Sequence, residues 1–380
     1  MDDLDAGYHT PGQLIAEILD AREWTQATLA IVLGTSRATI NKILAGKQPL
    51  DADMALTLGG LLDIAPERLM LIQQRYELAQ ARLIARPNPG LTTRAHLFGK
   101  LPISDMIKRG WIDVDDMRDV PKVEAALARF FGAKSVDEIE ILPHAAKKTD
   151  VVGDVTPVQL AWLYRVKEIT NEMLVPKYSH SAARGALAKL SALLSAPEET
   201  RKVPRILAEC GIRYAIVESL PGAKIDGVCF WLKDSPVIAM TMRYDRIDNF
   251  WFVLRHELEH VLQEHGRTAI MLDANLEGER AGVGDGVAVE ERMANEAASN
   301  FCVPQVEMDR FIARKAPIFA ERDILGFART LHVHPGLIAG QLQRRTARYD
   351  RFRGHLVKVR SSVSPSATVD GWGTVIPTGI

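Results

Sequence analysis

The chain has 380 residues, a formal net charge of −1, 47% hydrophobic residues and 25% charged residues. The length favours more than one domain, and the composition is that of a globular protein whose core needs neither metals nor disulfides. The balanced charge excludes a strong overall field as the basis for choosing partners. The three cysteines are scattered and odd in number, which favours reduced thiols in the cytoplasm. We expect neither export nor membrane insertion, because no signal segment or spanning apolar run is apparent.

The N-terminal region predicts short helices joined by tight turns. Thr25 suits the cap of one helix, Gly34 interrupts the pattern, and residues 35–46 begin and end as a short helix should. This arrangement is typical of a helix-turn-helix. Arginine and asparagine can read base edges, while serine, threonine and lysine hold phosphates. The predicted DNA-contacting residues are Ser36, Arg37, Thr39, Asn41, Lys42 and Lys47.

Residues 1–86 together hold 8 Lys and Arg against 11 Asp and Glu. The region is not broadly basic, so we expect its non-specific affinity for DNA to be modest. A helical module that binds another protein is the alternative interpretation of the same pattern.

Several segments resemble the Xre-type helix-turn-helix proteins and, among them, the HigA antitoxin group. The segments that carry this resemblance are His9–Gly12, Thr25–Ala30, Ser36–Gly46, Ile64–Glu67 and Gln74–Ala79. The resemblance implies a five-helix domain over residues 1–86 that binds double-stranded operator DNA as a homodimer.

A boundary is predicted at residues 86–90, where two prolines and a glycine interrupt helix. Residues 91–204 then read as mostly helical, with helical patterns at 123–131, 157–169 and 182–194. No catalytic constellation is apparent there, so this connecting region is either a spacer or part of a cleft wall.

Strands are predicted at residues 212–218 and 228–242, the second broken by a turn at 233–236. Residues 237–241 form either an exposed edge that pairs with an extended peptide or an ordinary buried strand. Residues 361–380, rich in Ser, Thr, Gly and Val, are predicted to be a flexible tail.

The segment 255–260 reads Arg-His-Glu-Leu-Glu-His. On a helix, His256 and His260 share a face and can bind one metal ion, and Glu257 can act on water as a general base. Asp248 and Asn249 are predicted to cap this helix. An apolar stripe should lie opposite the histidines, formed by Leu254, Leu258, Val261 and Leu262. The alternative is a solvated charged helix whose His and Glu form surface pairs.

A helix predicted over residues 290–303 offers a third protein ligand. Glu291 could complete a zinc site, and Asn295, four residues on, could orient a ligand imidazole. Glu290 is the nearest competitor but points about 100° away. An exposed acidic helix start is the alternative.

The HExxH segment, followed by Glu291-x-x-Ala294-Asn295, resembles the ImmA/IrrE metallopeptidases, and the likeness covers residues 205–350. It implies a zincin-like domain over residues 205–355, with zinc held by His256, His260 and Glu291 and catalysis by Glu257. Residues 226–231, 243–252 and 334–343 also carry the likeness.

The sequence thus predicts a mainly α protein with a small β-sheet (α+β). We expect a DNA-binding regulator fused to a zinc peptidase that cleaves a repressor, a toxin or itself. The alternative is a non-proteolytic HigA-like antitoxin or autorepressor whose zinc domain senses a ligand or binds a partner protein. Peptide hydrolysis also needs a hydrogen-bond donor to the oxyanion of the tetrahedral intermediate. The candidate donors are Tyr244, His265, His332 and His334.

Overall fold

The computed structural model describes residues 10–84, 95, 97–139, 155–267, 270–274 and 289–376. The protein is mainly α-helical with one small β-sheet, as the sequence predicts. The chain divides into two compact units, Met1–Pro89 and Gly90–Ile380. The boundary predicted at residues 86–90 lies outside the described residues. So does His9, the first residue of the segment His9–Gly12. No helix in the described ranges is both long enough and apolar enough to cross a membrane.

The first unit consists of short helices around a single apolar core. Thr10 begins the first helix with a capping box, in which Thr10 Oγ1 accepts from Gln13 N and Gln13 Oε1 accepts from Thr10 N. Gly34 adopts a positive φ of 63° in the turn between the second and third helices, a conformation that suits glycine. The helices are α1 (Pro11–Ala21), α2 (Gln26–Val32), α3 (Arg37–Leu44), α4 (Ala52–Leu62) and α5 (Pro66–Ile84).

The second unit contains the remaining helices. Its described α-helices are α6 (Ile103–Lys108), α7 (Val120–Phe130), α8 (Pro157–Glu172), α9 (His180–Ser191), α10 (Val203–Glu209), α11 (Ile247–Leu262), α12 (Val289–Cys302), α13 (Gln305–Lys315), α14 (Glu321–Leu331), α15 (Pro335–Thr346) and α16 (Arg360–Val363). Short 3-10 turns occur at Val136–Glu138, Pro197–Lys202, Arg353–His355 and Ser364–Ser366.

Five strands of this unit form a mixed sheet in the order β4-β2-β3-β1-β5. They are β1 (Arg213–Val217), β2 (Ile225–Leu232), β3 (Ser235–Met240), β4 (Met271–Ala274) and β5 (Thr368–Asp370). β3 runs antiparallel to β2 and parallel to β1. The hypothesis that residues 237–241 form an exposed edge is therefore wrong, because β3 is paired on both sides. β4 occupies that edge of the sheet instead.

Alternate strand residues face two separate apolar cores, as the period of a strand requires. On β3, Ile238 and Met240 belong to the core that contains α11, whereas Val237 and Ala239 belong to the core that contains α8. Trp162 of α8 is fully buried, and its Nε1 donates a hydrogen bond to the carbonyl oxygen of Val217 in β1 at 3.1 Å. The helices α6–α8 of the connecting region share this second core with the strands and are therefore not a spacer.

The prediction that residues 361–380 form a flexible tail is wrong for residues 361–376, which the structure describes. β5 pairs in parallel with β1, filling hydrogen-bonding positions along its edge. Asp370 is fully buried and accepts from Arg165 Nε at 2.6 Å and from Trp111 Nε1 at 2.9 Å. Local composition favours flexibility here, but a partner strand and a buried counter-charge fix the segment. Residues 377–380 lie outside the described residues.

Candidate functional site

The candidate metal-binding histidines lie on α11, which begins at Ile247 with Arg246 at the N-cap position and no side-chain cap. The expectation that Asp248 and Asn249 cap this helix is therefore wrong. Asp248 lies in the first turn, where its charge suits the helix dipole, and accepts a hydrogen bond from Arg246 Nε at 3.0 Å. This ion pair gives Asp248 a role other than capping.

The face of α11 that carries the HExxH motif is closed to solvent. His256, Glu257 and His260 are each 0% exposed. The predicted apolar stripe on the opposite side is buried as well, and the helix packs between β2 and α12. A solvated helix with surface His–Glu pairs is thereby excluded, since buried polar groups of this kind require partners or a ligand.

The two imidazoles and Glu291 converge on one point. His256 Nε2 lies 3.1 Å from His260 Nε2. The two Glu291 carboxylate oxygens each lie 3.4 Å from one of these nitrogens. One possible ligand atom from each of the three residues lies within 4.8 Å of the ligand atoms of the other two. Ligands of a tetrahedral zinc ion, bound at about 2.0–2.1 Å, are separated by about 3.3 Å, so the spacing fits zinc.

Glu291 and its neighbour Glu290 are clearly distinguished by position. Glu291 is half-buried, with 22% of its side chain exposed, and contacts both imidazoles. Glu290 is exposed at the start of α12. The structure thus places Glu291 at the histidine pair, and the exposed acidic helix start describes Glu290 alone.

Glu257 projects from α11 against β2 at the one position where β2 has no side chain. A Cβ placed on Gly227 would lie 2.8 Å from Glu257 Cδ, a separation that carbon atoms do not tolerate without displacement. Glycine at 227 is therefore what allows the carboxylate to lie between helix and strand. The strand predicted from the sequence begins at residue 228, so Gly227, which the structure places inside β2, was not marked as a point of close approach.

His265 adds a third imidazole to the row formed by His256 and His260. Its Nδ1 lies 3.0 Å from His260 Nδ1, and the two ring centroids are 5.3 Å apart. His265 follows the end of α11, so the helical spacing that marks His256 and His260 does not extend to it. The sequence suggested it only as an oxyanion donor.

Asn295 does not orient an imidazole, which corrects its predicted role. Its side chain makes no hydrogen bond to either histidine, and its buried Oδ1 has no partner among the described residues. Asn295 lies four residues after Glu291, which displaces it by about 6 Å along the axis of α12. It lines a surface depression together with Glu259 and Ser299. His260 Nδ1 lies instead beside His265 Nδ1.

The other candidate oxyanion donors have structural contacts of their own. His334 is the N-cap of α15, where its Nδ1 accepts from Gly336 N at 3.0 Å. His332 ends α14 in a left-handed conformation. The Tyr244 hydroxyl accepts from Arg243 at 2.7 Å. Among the four candidates, His265 is the one with a described contact to the metal-binding histidines.

The helix-turn-helix in the first unit presents a polar surface on α3. Ser36 caps α3, its Oγ accepting from Thr39 N at 3.1 Å, and the two hydroxyl groups lie 2.9 Å apart. Thr39 is half-buried, whereas Ser36 is exposed. The other predicted DNA-contacting residues are all exposed, namely Arg37, Asn41, Lys42 and Lys47. The side chains of Ile40 and Ile43 are buried on the opposite side.

Comparison with known families assigns part of the chain. Residues 15–69 match the family model described as helix-turn-helix. The first unit therefore contains an Xre-like helix-turn-helix of the kind found in DNA-binding transcription regulators. A search of curated proteins found no match to the chain.

Proposed function

We propose that the second unit is a zinc-dependent peptidase, so that the chain joins a DNA-binding regulator to hydrolysis of peptide bonds. The observation that carries this proposal is the convergence of His256 Nε2, His260 Nε2 and the Glu291 carboxylate from two helices, with Glu257 buried beside them. A cluster of two neutral nitrogens and one carboxylate is the ligand set of catalytic zinc in HExxH peptidases.

The two histidines and Glu291 would hold zinc, which supplies Lewis acidity to water and to a peptide carbonyl. Glu257 would take a proton from the attacking water on its carboxylate and pass it to the leaving amide nitrogen. Its close approach to Gly227 holds the carboxylate between α11 and β2, and fixed positioning of a reacting group favours catalysis. The resemblance to the ImmA/IrrE metallopeptidases supports the same assignment.

The fused helix-turn-helix suggests where cleavage acts. We propose that the chain binds double-stranded operator DNA as a homodimer and that its peptidase cleaves a repressor, a toxin or the chain itself. The resemblance of the N-terminal region to the HigA antitoxin group is compatible with each of these substrates. The residues expected to contact the operator, of which all but the half-buried Thr39 are exposed, are Ser36, Arg37, Thr39, Asn41, Lys42 and Lys47.

Comparing wild type with Glu257→Gln tests the peptidase. Both zinc-loaded full-length proteins are incubated alone, with unfolded casein, and with candidate repressor or toxin partners, and products are identified by mass spectrometry. We expect wild type to generate new peptide termini. Glu257→Gln should generate none, because the amide cannot accept the proton. Glu290→Gln is the matched control, since Glu290 is exposed at the start of α12, and it should cleave like wild type.

Equal cleavage by Glu257→Gln would refute the assigned general base. Zinc binding without cleavage of any substrate by wild type would instead favour the non-proteolytic regulator, whose second unit senses a ligand or binds a partner.

A further inference from the structure

We propose that His265 is a positioning residue that fixes the ring tautomer and orientation of His260, an inference that rests on the proposed metal centre. The contact joins the Nδ1 atoms of the two rings at 3.0 Å. His260 Nε2, on the other side of its ring, faces His256 Nε2 and the Glu291 carboxylate. His265 therefore touches the ligand from behind.

The backbone of His265 is held on both sides. Its N–H donates to the His260 carbonyl at 2.8 Å, and its carbonyl accepts from Trp231 Nε1 at 2.8 Å. Gly266 follows with a φ of +79°, and a Cβ on it would lie 2.8 Å from the Cys229 carbonyl oxygen. The turn after α11 is thus pressed against β2, which sets the position of the His265 ring.

Hydrogen-bond chemistry determines which ring nitrogen of His260 and of His265 carries the proton. A neutral imidazole has one nitrogen that donates and one that accepts. His260 Nε2 can bind a metal only through its lone pair, which places the proton on Nδ1. His260 Nδ1 then donates to His265 Nδ1, and His265 carries its own proton on Nε2. An imidazole here does what a carboxylate or a backbone carbonyl usually does behind a metal-binding histidine.

Two substitutions at His265 separate this role from packing. In His265→Asn, the side-chain oxygen occupies the place of Nδ1 and can still accept a hydrogen bond, whereas His265→Phe keeps a ring but has no acceptor. His180→Phe is the matched control, because His180 Nε2 contacts the Leu262 carbonyl at the end of the same helix at 3.1 Å without touching a proposed ligand.

The first readout is zinc affinity, measured by competition with a chromogenic chelator. We expect His265→Phe to bind zinc about 10- to 100-fold more weakly than wild type, His265→Asn to recover most of that loss, and His180→Phe to match wild type. Circular dichroism of the metal-free proteins checks that each variant is folded. Wild-type affinity in folded His265→Phe would overturn the inference while leaving the proposed function standing. No zinc binding by wild type would refute the proposed function itself.

The second readout needs no variant at the site. Zinc-loaded wild-type protein labelled with 15N in its histidine rings should show His260 protonated at Nδ1 and His265 unprotonated at Nδ1 in long-range 1H–15N spectra. The opposite pattern, with the proton on His265 Nδ1, would overturn the inference even if His265→Phe failed to fold.

Discussion

Replacing Asp370 by Asn tests whether the C-terminal strand is an integral part of the second unit. The Asp370 side chain is 0% exposed and pairs with the equally buried Arg165 at 2.6 Å. Trp111 Nε1 donates to the same carboxylate oxygen at 2.9 Å. The substitution is nearly isosteric, so its main effect is to remove the charge that compensates the buried guanidinium.

Removing one partner of a buried ion pair typically costs about 3–5 kcal/mol. Arg165 retains Glu168, 2.9 Å away, but that carboxylate is 36% exposed and compensates less well. The remaining amide oxygen of Asp370→Asn can still accept one hydrogen bond. We therefore expect a loss near the lower end of the range, about 3 kcal/mol in the free energy of unfolding.

Urea unfolding followed by circular dichroism measures this loss. Asp350→Asn is the control, because Asp350 pairs with Arg348 at 3.2 Å while their side chains are 67% and 53% exposed. An exposed pair contributes at most about 1 kcal/mol, and the control should change stability by no more than that. If Asp370→Asn unfolded as readily as the control, the buried pair would not anchor β5 as we describe.

The remaining predictions concern DNA binding, the general base and pH. Arg37→Ala and Asn41→Ala should each weaken binding to a selected operator by about 1–3 kcal/mol if they read bases; unchanged affinity in gel-shift titrations would argue against α3 as the reading helix. Gly227→Ala should lower peptidase kcat/KM by about 100-fold by displacing the carboxylate, whereas Gly185→Ala, where a Cβ meets nothing within 4 Å, should not; equal activities would contradict the packing argument. Burial lowers the pKa of His334, so the unfolded chain binds the proton more readily and stability should fall as pH drops below the unfolded value of about 6.5. His334→Asn keeps a capping acceptor and should reduce that fall in melting temperature between pH 7 and pH 5; an identical pH profile would exclude the contribution.

Local signals in the sequence predicted local structure well. Thr25 caps α2 as expected, α3 lies within the segment predicted to be a short helix, and the turn at residues 233–236 corresponds to the β2–β3 hairpin. In each case the interacting groups are a few residues apart, so short-range patterns determine them.

Features that depend on distant partners could not be predicted in the same way. The position of β3 inside the sheet depends on pairing with β1 and β2. β5 is fixed by Arg165, more than 200 residues earlier in the chain. Composition at residues 361–380 carries no information about that partner, so it suggested flexibility.

The candidate site shows the same division. Four-residue spacing identified His256 and His260 because the helix itself brings them together. Glu291 followed from helical pattern together with family resemblance, and the structure places it at the pair. The observed contacts of His265 and Asn295 were not predicted, because they depend on the turn after α11 and on the packing of α12 against α11. Neither is encoded in a residue spacing.

The metal content of purified protein tests the central claim most directly. Equal amounts of wild type, Glu257→Gln, Glu290→Gln and Glu291→Gln are saturated with zinc, desalted and analysed by inductively coupled plasma mass spectrometry. We expect one zinc per chain in the first three proteins and a clear loss in Glu291→Gln, because Glu291 contacts both imidazoles. Full zinc content in Glu291→Gln, or none in wild type, would contradict a cation held jointly by α11 and α12.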